Sequence, residues 1–580
     1  MLETSGKPSR AGREQDSAKP GHAVSAGACA TLGRVHPRSE QRSEERSSDE
    51  APNNARGSTM NVAGLLRRQA ARHPERVALI DGDARLTWSD LDRRVERVAR
   101  GLAGLGLVAG HRVGIALADG AEFITCYLAT LRGGLVAVPV NPTSRPGEIG
   151  PVLADCGARV CFADLGCIDA LRLAVSASDD VAPGGDVGYT SPWPPLVVVV
   201  GSAPRPGEIG YADLPPDETP VVAPLDPELL AALVYTSGTS GTPRAAMLSH
   251  RALLANIQQS SGTDPPPVRE SDIVLGVLPM CHAYALNAVL GQVLLTGATL
   301  VLGTRLTADA MLELIRRERV SCVPVAPAVI AAWLERPDAP ELLASVGLLL
   351  SAAAPLAEET VRAFEARTGV TVEQGYGLTE AGPAVTSTIG TPTHKPGSVG
   401  RALPGVALRV VDEAGADVQG DDAGEILVRG CNLFSGYWPD GEESPGDGAW
   451  LHTGDIGFLD ADDDLFIVDR VKELVIVSGF NVYPSEIEDV IAEVAGVREC
   501  AVIGVPHEAT GEAVVAYVVA LPEAVAGLET AVAAHCADRL ARFKLPWRIE
   551  VVERLPHAAN GKVAKGRLRL AGARREPDPS

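Results

Sequence analysis

One segment of the chain is rich in the hydroxyl and glycine residues that surround phosphate groups in proteins. It runs Tyr235-Thr-Ser-Gly-Thr-Ser-Gly-Thr-Pro-Arg244, follows the apolar run LAALVY, and precedes a helix expected from about Ser249. Glycines and short hydroxyl side chains leave backbone N–H groups free to bind a phosphate, and the cation of Arg244 adds attraction. The segment lacks the GK[ST] ending of a Walker A loop, and similar runs form simple turns, so alone it leaves phosphate binding open.

Three further segments carry residues suited to nucleotide binding. They are Gln374-Gly-Tyr-Gly-Leu-Thr-Glu380, Trp450-Leu-His-Thr-Gly-Asp455 with Asp469-Arg-Val-Lys472 soon after it, and Asn560-Gly-Lys562. Taken singly, each has an ordinary explanation. Aspartate is a common turn residue, and lysine is usually a solvated surface residue.

In this order the four segments resemble the adenylate-forming superfamily, which contains acyl-CoA synthetases, amino-acid adenylation domains and luciferases. The resemblance covers about residues 60–570. The run Val477-Ser-Gly-Phe-Asn-Val-Tyr-Pro-Ser-Glu-Ile-Glu488 is more similar still to bacterial medium- and long-chain fatty-acid–CoA ligases. The implied fold is α/β, with a large N-terminal adenylate-forming domain of α/β subdomains and a small mobile C-terminal α+β domain.

The resemblance implies an AMP-forming acid–thiol ligase that works in two steps. A carboxylate attacks the α-phosphate of Mg-ATP and gives an acyl-adenylate and pyrophosphate. The small domain then rotates, and the thiol of coenzyme A displaces AMP. Such chemistry depends mainly on positioning and on neutralising charge. ATP, Mg²⁺, coenzyme A and a carboxylic acid are therefore the expected small-molecule partners.

The resemblance also implies roles for individual residues. The loop from Thr236 to Gly241 would surround the β- and γ-phosphates, and Thr236 and Glu380 would hold Mg²⁺, which takes oxygen ligands. Asp455 would accept hydrogen bonds from both ribose hydroxyls. Lys562 would bridge the substrate carboxylate and the α-phosphate in the first step and then swing away, which suits a point charge on a flexible stem.

The remaining nucleotide contacts follow in the same way. Tyr376 would flank the adenine and Thr379 the α-phosphate, while Arg470 would reach the ribose. Lys472 would act as the hinge, and Gly479 would line the pantetheine tunnel, where a side chain would obstruct passage. The full expected nucleotide set is Thr236, Ser237, Gly238, Thr239, Ser240, Gly241, Arg244, Ala353, Ala354, Pro355, Gln374, Gly375, Tyr376, Gly377, Thr379, Asp455, Arg470 and Lys472.

His282 matches the family histidine beside the acyl carboxylate, although a lone histidine among apolar residues is more often part of a core. Two positions depart from the family pattern. Arg244 stands where the family usually has lysine, and its bulkier, fork-shaped guanidinium could slow the handling of pyrophosphate. The usual double glycine is replaced within Ser351-Ala-Ala-Ala-Pro-Leu356, where two added methyl groups could tighten the adenine slot or the acyl channel.

The expected acid is hydrophobic. Amino-acid adenylation domains pair an aspartate with the α-ammonium group, whereas the run Cys-His-Ala-Tyr-Ala-Leu at 281–286 offers no anion. Nearby apolar residues fit a fatty acid: Val289, Leu290, Val325, Ala328, Val329 and Ile330. The alternatives are a fatty-acyl-AMP ligase that loads a carrier protein, an aryl-acid–CoA ligase, and a non-catalytic relative that binds a nucleotide or an acyl group.

The elements that must position these residues are expected to be alternating strands and helices. Helical patterns at 88–104 and 308–319 alternate with β-rich runs such as RVGIAL and ATLVLG, which favours parallel α/β sheets. After about residue 470, short strands and a helix opening at Pro484 predict a separate α+β unit. The expected divisions are a disordered extension over 1–57, an adenylation domain over 58–470, a C-terminal domain over 471–570 and a tail over 571–580.

Composition excludes several classes of protein. The 580 residues include 52 Lys and Arg against 74 Asp and Glu, a net charge of −22, which argues against nucleic-acid binding and against membrane attachment by charge alone. Residues 273–304 lack charge but contain Pro279, His282 and four glycines, so we expect buried strand, loop and helix rather than a membrane span. Ten cysteines are too few for a disulfide scaffold. The expectation is a cytoplasmic enzyme of unknown oligomeric state, with peripheral membrane contact left open.

Overall fold

The computed structural model describes residues 60–176, 194–215, 221, 224, 226–236, 244–303, 306–354, 356–418, 420, 422–446, 448–470, 473, 475–477, 480–507, 510–522, 527–540, 542–557 and 563–572. The extension expected over 1–57 lies outside these residues. So does most of the tail expected over 571–580, of which residues 571 and 572 end a helix.

The helices lie in both the larger N-terminal part and the smaller C-terminal part of the described chain. They are α1 (Ala63–Arg72), α2 (Trp88–Gly104), α3 (Ala121–Arg132), α4 (Pro146–Asp155), α5 (Ile168–Ser176), α6 (His250–Ser261), α7 (Gln292–Thr296), α8 (Ala308–Glu318), α9 (Pro327–Leu334), α10 (Ala339–Leu342), α11 (Glu358–Thr368), α12 (Pro484–Ala492), α13 (Leu528–Arg539) and α14 (Lys565–Gly572). Short 3₁₀ helices occur at Tyr211–Asp213, Thr379–Ala381 and Arg542–Lys544, and a π-helix at Tyr284–Gly291.

The strands are mostly short. They are β1 (Val77–Asp81), β2 (Ala84–Thr87), β3 (Arg112–Ala116), β4 (Val136–Pro139), β5 (Val160–Ala163), β6 (Leu196–Val199), β7 (Ile209–Gly210), β8 (Leu230–Thr236), β9 (Arg244–Ser249), β10 (Ile273–Gly276), β11 (Thr299–Leu302), β12 (Cys322–Val325), β13 (Leu348–Ser351), β14 (Val372–Gln374), β15 (Thr386–Ser387), β16 (Arg401–Ala402), β17 (Val406–Val411), β18 (Gly424–Gly430), β19 (Leu451–Leu459), β20 (Leu465–Arg470), β21 (Val475–Val477), β22 (Phe480–Val482), β23 (Val497–His507), β24 (Gly511–Ala520) and β25 (Arg548–Val552).

Two seven-stranded sheets dominate the N-terminal part. One has the order β7-β6-β5-β3-β4-β8-β9 and the other β14-β13-β12-β10-β11-β1-β2. Pairing is parallel except at one edge of each sheet, where β9 runs antiparallel to β8 and β2 antiparallel to β1. Strands of such sheets are buried on both faces and are therefore continuous apolar runs, as the TLVL of β11 illustrates. The predicted parallel α/β architecture is confirmed.

Three further sheets lie later in the described chain, and the smallest is the antiparallel pair of β15 and β16. Strands β17 to β20 form an antiparallel sheet of four neighbours in sequence order, which the sequence did not predict. Strands β22-β21-β24-β23 form another, with β25 parallel to β24. Helices α12 and α13 pack on this last sheet through a core that includes Ile487, Ile491 and Val532. The expected small α+β part is therefore present.

Helix starts agree with the sequence. Thr87 caps α2: its Oγ1 accepts a hydrogen bond from the backbone N–H of Asp90, and the Asp90 carboxylate accepts one from the Thr87 N–H. Such a capping box satisfies two backbone donors that the helix leaves free. Ser249 caps α6 by accepting from the Ala252 N–H at 3.2 Å.

Residues 273–303 of the uncharged stretch form buried elements of the second sheet and its surroundings. They contain β10, the π-helix at Tyr284–Gly291, α7 and β11. Across the described ranges, none of the helices combines the length and the apolar character that crossing a membrane requires. The prediction of strand, loop and helix here is confirmed.

Candidate active site

Predicted site segments follow the carboxyl ends of one strand of the first sheet, β8, and of two strands of the second sheet, β13 and β14. Thr236 ends β8, Ser351 ends β13 and Gln374 ends β14. In open α/β sheets, ligands bind in the crevice beyond these ends. Within the second sheet, the topology places the ends of β13 and β14 side by side, with Ser351 opposite Gln374.

The ends of the predicted phosphate loop are paired with each other. Thr236 and Arg244 lie opposite each other in the β8–β9 hairpin, and Thr236 Oγ1 donates to the Arg244 carbonyl oxygen at 3.4 Å. The rest of the predicted loop (Ser237, Gly238, Thr239, Ser240 and Gly241) lies outside the described residues. The hairpin therefore fixes where this loop leaves and rejoins the sheet.

Arg244 lies on an aromatic ring between two glutamates. Its Cζ is 3.7 Å from the ring centroid of Tyr437. Its Nη1 lies 2.7 Å from Glu443 Oε1, and its Nη2 lies 3.5 Å from Glu442 Oε2. Both glutamate side chains are exposed, so these ion pairs are weak. The guanidinium therefore stays free to exchange them for another anion.

Tyr437 joins Arg244 to Glu380. Its hydroxyl donates a hydrogen bond to Glu380 Oε1 at 2.5 Å. Burial, together with the neighbouring charge of Glu380, raises the pKa of Tyr437, so the phenol keeps its proton and remains a donor. Sequence reasoning missed this residue, because its place depends on pairing between 435–438 and β9: the Met247 N–H donates to Gly436 O at 3.0 Å.

The backbone around Glu380 is held by buried amide side chains. Glu380 lies in the 3₁₀ helix that starts at Thr379, and its carbonyl oxygen accepts from the Phe434 N–H at 2.9 Å. Asn432, which is fully buried, donates from Nδ2 to the Ala381 carbonyl oxygen at 2.7 Å. Glu380 therefore presents its carboxylate from a fixed support.

Thr236 and Glu380 offer the kind of atoms that a magnesium ion binds. A hydroxyl and a carboxylate are hard oxygen ligands. Contacts connect the two residues: Thr236 binds the Arg244 backbone, the Arg244 side chain stacks on Tyr437, and Tyr437 binds Glu380. The donor set fits Mg²⁺.

A second group of predicted residues meets around Asp455. The Tyr376 hydroxyl donates to Asp455 Oδ2 at 2.6 Å. Asp455 lies in β19 and is 5% exposed. The Tyr376 backbone is also held, because its carbonyl oxygen accepts from the N–H groups of Val385 and Thr386 at 3.0 and 3.1 Å. The residues expected at the adenine and at the ribose are thus in direct contact.

The glycines beside Tyr376 allow a close approach of two backbone segments. A Cβ on Gly377 would lie 2.0 Å from the Pro383 carbonyl oxygen, and one on Gly375 would lie 2.9 Å from that of Thr386. Any side chain at Gly377 would force the segments apart. Gln374 begins this contact, with its N–H donating to Thr388 Oγ1 at 2.8 Å.

The turn after β13 has an alanine in the left-handed backbone region. Ala353 has φ +74°, a conformation that suits glycine and costs an alanine roughly 1–2 kcal/mol. Ala354 beside it is exposed, and Pro355 lies outside the described residues. The Gly375 N–H donates to the Ser351 carbonyl oxygen at 3.2 Å, so this turn adjoins the Tyr376 segment.

His282 stands just before the π-helix at Tyr284–Gly291. It is partly buried, and its carbonyl oxygen accepts from the Leu286 N–H at 3.1 Å. The Met280 N–H donates to Asp119 Oδ1 at 2.7 Å, which holds the loop. A π-helix often marks a functional site. Within it, the Tyr284 hydroxyl is buried and has no hydrogen-bond partner among the residues that the structure describes.

The apolar residues expected around the acid are divided. Val289 and Leu290 pack in one core, and Val325 and Ile330 pack in another. Only Ala328 and Val329, at the start of α9, have exposed surface. The set predicted as a pocket wall therefore lies mainly inside two cores.

The remaining predicted residues are only partly described. Lys472, Gly479 and Lys562 lie outside the described residues. The backbone of Arg470 ends β20 and lies opposite Asp455 of β19. The structure thus places the Arg470 backbone beside that of Asp455.

Family models match most of the chain. The model described as AMP-binding enzyme matches residues 66–438, and that of the AMP-binding enzyme C-terminal domain matches residues 486–562. The chain belongs to the AMP-binding enzyme family. The predicted superfamily and the prediction of an enzyme of the AMP-forming ligase class are confirmed.

Curated relatives of this AMP-binding enzyme include plant proteins. It is 33% identical to 4-coumarate–CoA ligase 5 of Oryza sativa subsp. japonica over 515 residues, covering 85% of this chain and 91% of that protein. It is 32% identical to 4-coumarate–CoA ligase of Pinus taeda over 517 residues, covering 86% and 93%. These relatives therefore do not support the expected particular similarity to bacterial fatty-acid–CoA ligases.

Solved structures share the fold of the AMP-binding enzyme. ATP-bound MatB from Rhodopseudomonas palustris gives a TM-score of 0.78 at 31% identity, covering 88% of this chain and 99% of that one. The anthranilate CoA ligase AuaEII with anthranoyl-AMP gives 0.78 at 28%, covering 88% and 97%. A fatty acyl CoA synthetase of Mycobacterium tuberculosis gives 0.67 at 29%, covering 89% and 99%. The predicted large N-terminal and small C-terminal parts are confirmed.

Proposed function

We propose that this AMP-binding enzyme is an AMP-forming acid–CoA ligase. It activates a carboxylic acid with ATP to an acyl-adenylate and transfers the acyl group to the thiol of coenzyme A. The observation that carries the proposal is the hydrogen bond between Tyr376 and Asp455. It places a buried carboxylate, suited to two ribose hydroxyls, beside a phenol ring suited to stacking on a base.

We propose an aromatic acid with a polar ring substituent, of the 4-coumarate kind, as the substrate. Curated relatives that match along most of the chain bear the name 4-coumarate–CoA ligase. The buried Tyr284 hydroxyl supports the choice, because an unpaired buried polar group costs roughly 1–3 kcal/mol. A substrate hydroxyl that reached Tyr284 would remove that cost, whereas a saturated acyl chain would not.

A fatty acid is the second candidate. The fatty acyl CoA synthetase of Mycobacterium tuberculosis shares the fold at 29% identity, and the residues around His282 are mostly apolar. With this acid, the acceptor is either coenzyme A or, as in a fatty-acyl-AMP ligase, a carrier protein.

The nucleotide is held by residues with distinct tasks. Asp455 accepts the ribose hydroxyls, and Tyr376 restrains that carboxylate while its ring flanks the adenine. Thr379 faces the α-phosphate. Arg470, Gln374, Gly375, Gly377, Ala353, Ala354 and Pro355 complete the nucleoside side, and Ser237, Gly238, Thr239, Ser240 and Gly241 bind the terminal phosphates.

Charge is neutralised from several directions during adenylation. Thr236 and Glu380 would hold Mg²⁺, which when bound withdraws charge from phosphate oxygens. Arg244 leaves its exposed glutamates for the terminal phosphates. Lys562 brings the acid's carboxylate to the α-phosphate, and His282 lies beside that carboxylate.

The second step needs movement of the C-terminal part. We propose that Lys472 is the hinge between an adenylation domain over 58–470 and a C-terminal domain over 471–570. Rotation about it withdraws Lys562 and admits the pantetheine arm past Gly479. The absence of a side chain there leaves room for the thiol.

The test is ATP-dependent pyrophosphate release with cinnamate, 4-coumarate and saturated C2–C18 acids, each with and without coenzyme A. Turnover with 4-coumarate that yields its CoA thioester supports the proposal. Pyrophosphate release that is fastest with a saturated acid supports the second candidate, a fatty acid, as the substrate. Adenylate without thioester indicates carrier-protein loading, and silence with every acid contradicts the proposed activity.

A further inference from the structure

Three charged side chains from separate segments meet in the C-terminal part. Lys565 is the first residue of α14, Glu488 lies in α12, and Glu473 lies between β20 and β21. Lys565 Nζ is 2.8 Å from both Glu473 Oε2 and Glu488 Oε1. The side chains of Lys565, Glu473 and Glu488 are 15%, 25% and 21% exposed, so water screens the charges only in part.

The ion cluster of Lys565, Glu473 and Glu488 is built into its surroundings. The Val502 N–H donates to Glu488 Oε1 at 2.6 Å. Burial raises the pKa of Glu488, and the charge of Lys565 opposes that effect. Burial alone would lower the pKa of Lys565, but the two carboxylates outweigh it and raise that pKa. Lys565 therefore stays charged and ties three backbone segments together.

Both ends of the ion cluster adjoin residues of the proposed mechanism. Glu473 follows Lys472, the proposed hinge, and Lys565 comes three residues after Lys562. Three residues of fully extended chain span at most about 10 Å. Chain connectivity alone therefore restricts where Lys562 can reach once Lys565 is fixed.

We propose that Lys565 is a positioning residue for the adenylation step. By binding Glu473 and Glu488, it holds the start of α14, and with it the approach of Lys562, at a set distance from the hinge. This inference rests on the proposed function. Because Lys562 has withdrawn when coenzyme A attacks, thioester formation does not depend on the cluster.

The test compares the two half-reactions in Lys565→Met, Lys565→Arg and a matched control, Lys544→Met. Methionine keeps the length of the lysine stem and removes its charge. Lys544 Nζ lies 2.6 Å from Glu486 Oε1, so the control removes an ion pair of the same type from the same part of the chain. Adenylation is followed by pyrophosphate release, and thioester formation by adding coenzyme A to synthetic acyl-AMP.

We expect Lys565→Met to slow adenylation by about 30-fold or more, because it leaves two partly buried carboxylates without their cation. Thioester formation should change by less than about 3-fold, and Lys565→Arg should restore adenylation to within about 3-fold, since the charge returns. Lys544→Met should leave both half-reactions near the wild-type rates.

If the wild type is active, two results overturn the inference. One is unchanged adenylation in Lys565→Met, and the other is an equal loss of both half-reactions together with a lower melting temperature. If Lys565→Met does not fold, Glu473→Gln replaces it and must show the same split. A wild type that releases no pyrophosphate contradicts the proposed function as well, since no adenylation step then exists to position.

Discussion

The hydroxyl of Tyr376 donates a 2.6 Å hydrogen bond to Oδ2 of Asp455 and so links a loop after β14 to strand β19 of a different sheet. Asp455 is 5% exposed. The bond restrains a buried carboxylate in a defined orientation. A carboxylate held in this way is prepared to accept hydrogen bonds without first losing conformational freedom.

Replacing Asp455 by asparagine should weaken ATP binding. The amide keeps the shape but loses the charge, and charge-assisted hydrogen bonds are worth about 1.5–3 kcal/mol. The Kd for ATP, measured by calorimetry, should rise about 10- to 100-fold. Asp463→Asn is the control, because Asp463 lies exposed on the following turn and asparagine tolerates its φ of +65°. An equal loss in both variants would contradict the ribose role.

Tyr284→Phe should change substrate preference rather than overall activity. The variant removes a buried hydroxyl that has no partner among the described residues, so its free energy of unfolding should not fall. The kcat/KM for 4-coumarate should drop about 10-fold while that for cinnamate, which lacks the ring hydroxyl, stays within about 2-fold. Parallel changes for both acids would show that Tyr284 does not bind the substituent.

Ala353→Gly should stabilise the protein. Glycine removes the strain of φ +74°, roughly 1–2 kcal/mol. Part of this gain is offset, because glycine also increases the conformational entropy of the unfolded chain. The net gain expected in urea unfolding is about 0.5–1 kcal/mol. Ala354→Gly next to it has no left-handed strain to remove and should lower stability slightly. A gain in the control and none at Ala353 would refute the explanation.

Stability should fall as the pH drops from about 6.5 towards 4. Burial of His250 at the start of α6 lowers its pKa to about 4. In the unfolded chain its pKa is near 6.5. Between pH 4 and pH 6.5 the unfolded state therefore binds a proton that the folded state does not, and this binding stabilises the unfolded state relative to the folded one. The loss approaches about 3 kcal/mol at pH 4 and vanishes above pH 6.5.

Urea unfolding at pH 7 and pH 5 tests the His250 contribution. At pH 5 the wild type should lose about 2 kcal/mol more than His250→Gln, which has no group to protonate there. His452→Gln serves as the control, because the His452 side chain is 65% exposed. If His250→Gln and the wild type lose the same free energy between the two pH values, the contribution is absent.

Sequence patterns predicted the elements that depend on local periodicity, and motifs pointed to candidate site residues. The helix over 88–104 and the segments with Tyr376 and Asp455 belong to this class. Tyr437 and Lys565 do not, because their partners lie 57 and 92 residues away in sequence and only folding brings them together. The antiparallel sheet from β17 to β20 was also missed. The parallel sheets were predicted from the alternation of strands and helices, and within the described ranges no helices separate the strands β17 to β20.

The pairing of β1 with β11 bears on the order in which the chain is synthesised. Leu79 lies opposite Leu300, so β1 must wait for 221 further residues before its partner exists. At roughly 5–20 residues per second, that delay is about 10–40 s. During it the apolar VALI segment has only β2 to pair with, and unpaired strand edges promote aggregation. Asp81, Asp83 and Arg85 place charges around this hairpin, where such residues discourage association between nascent chains.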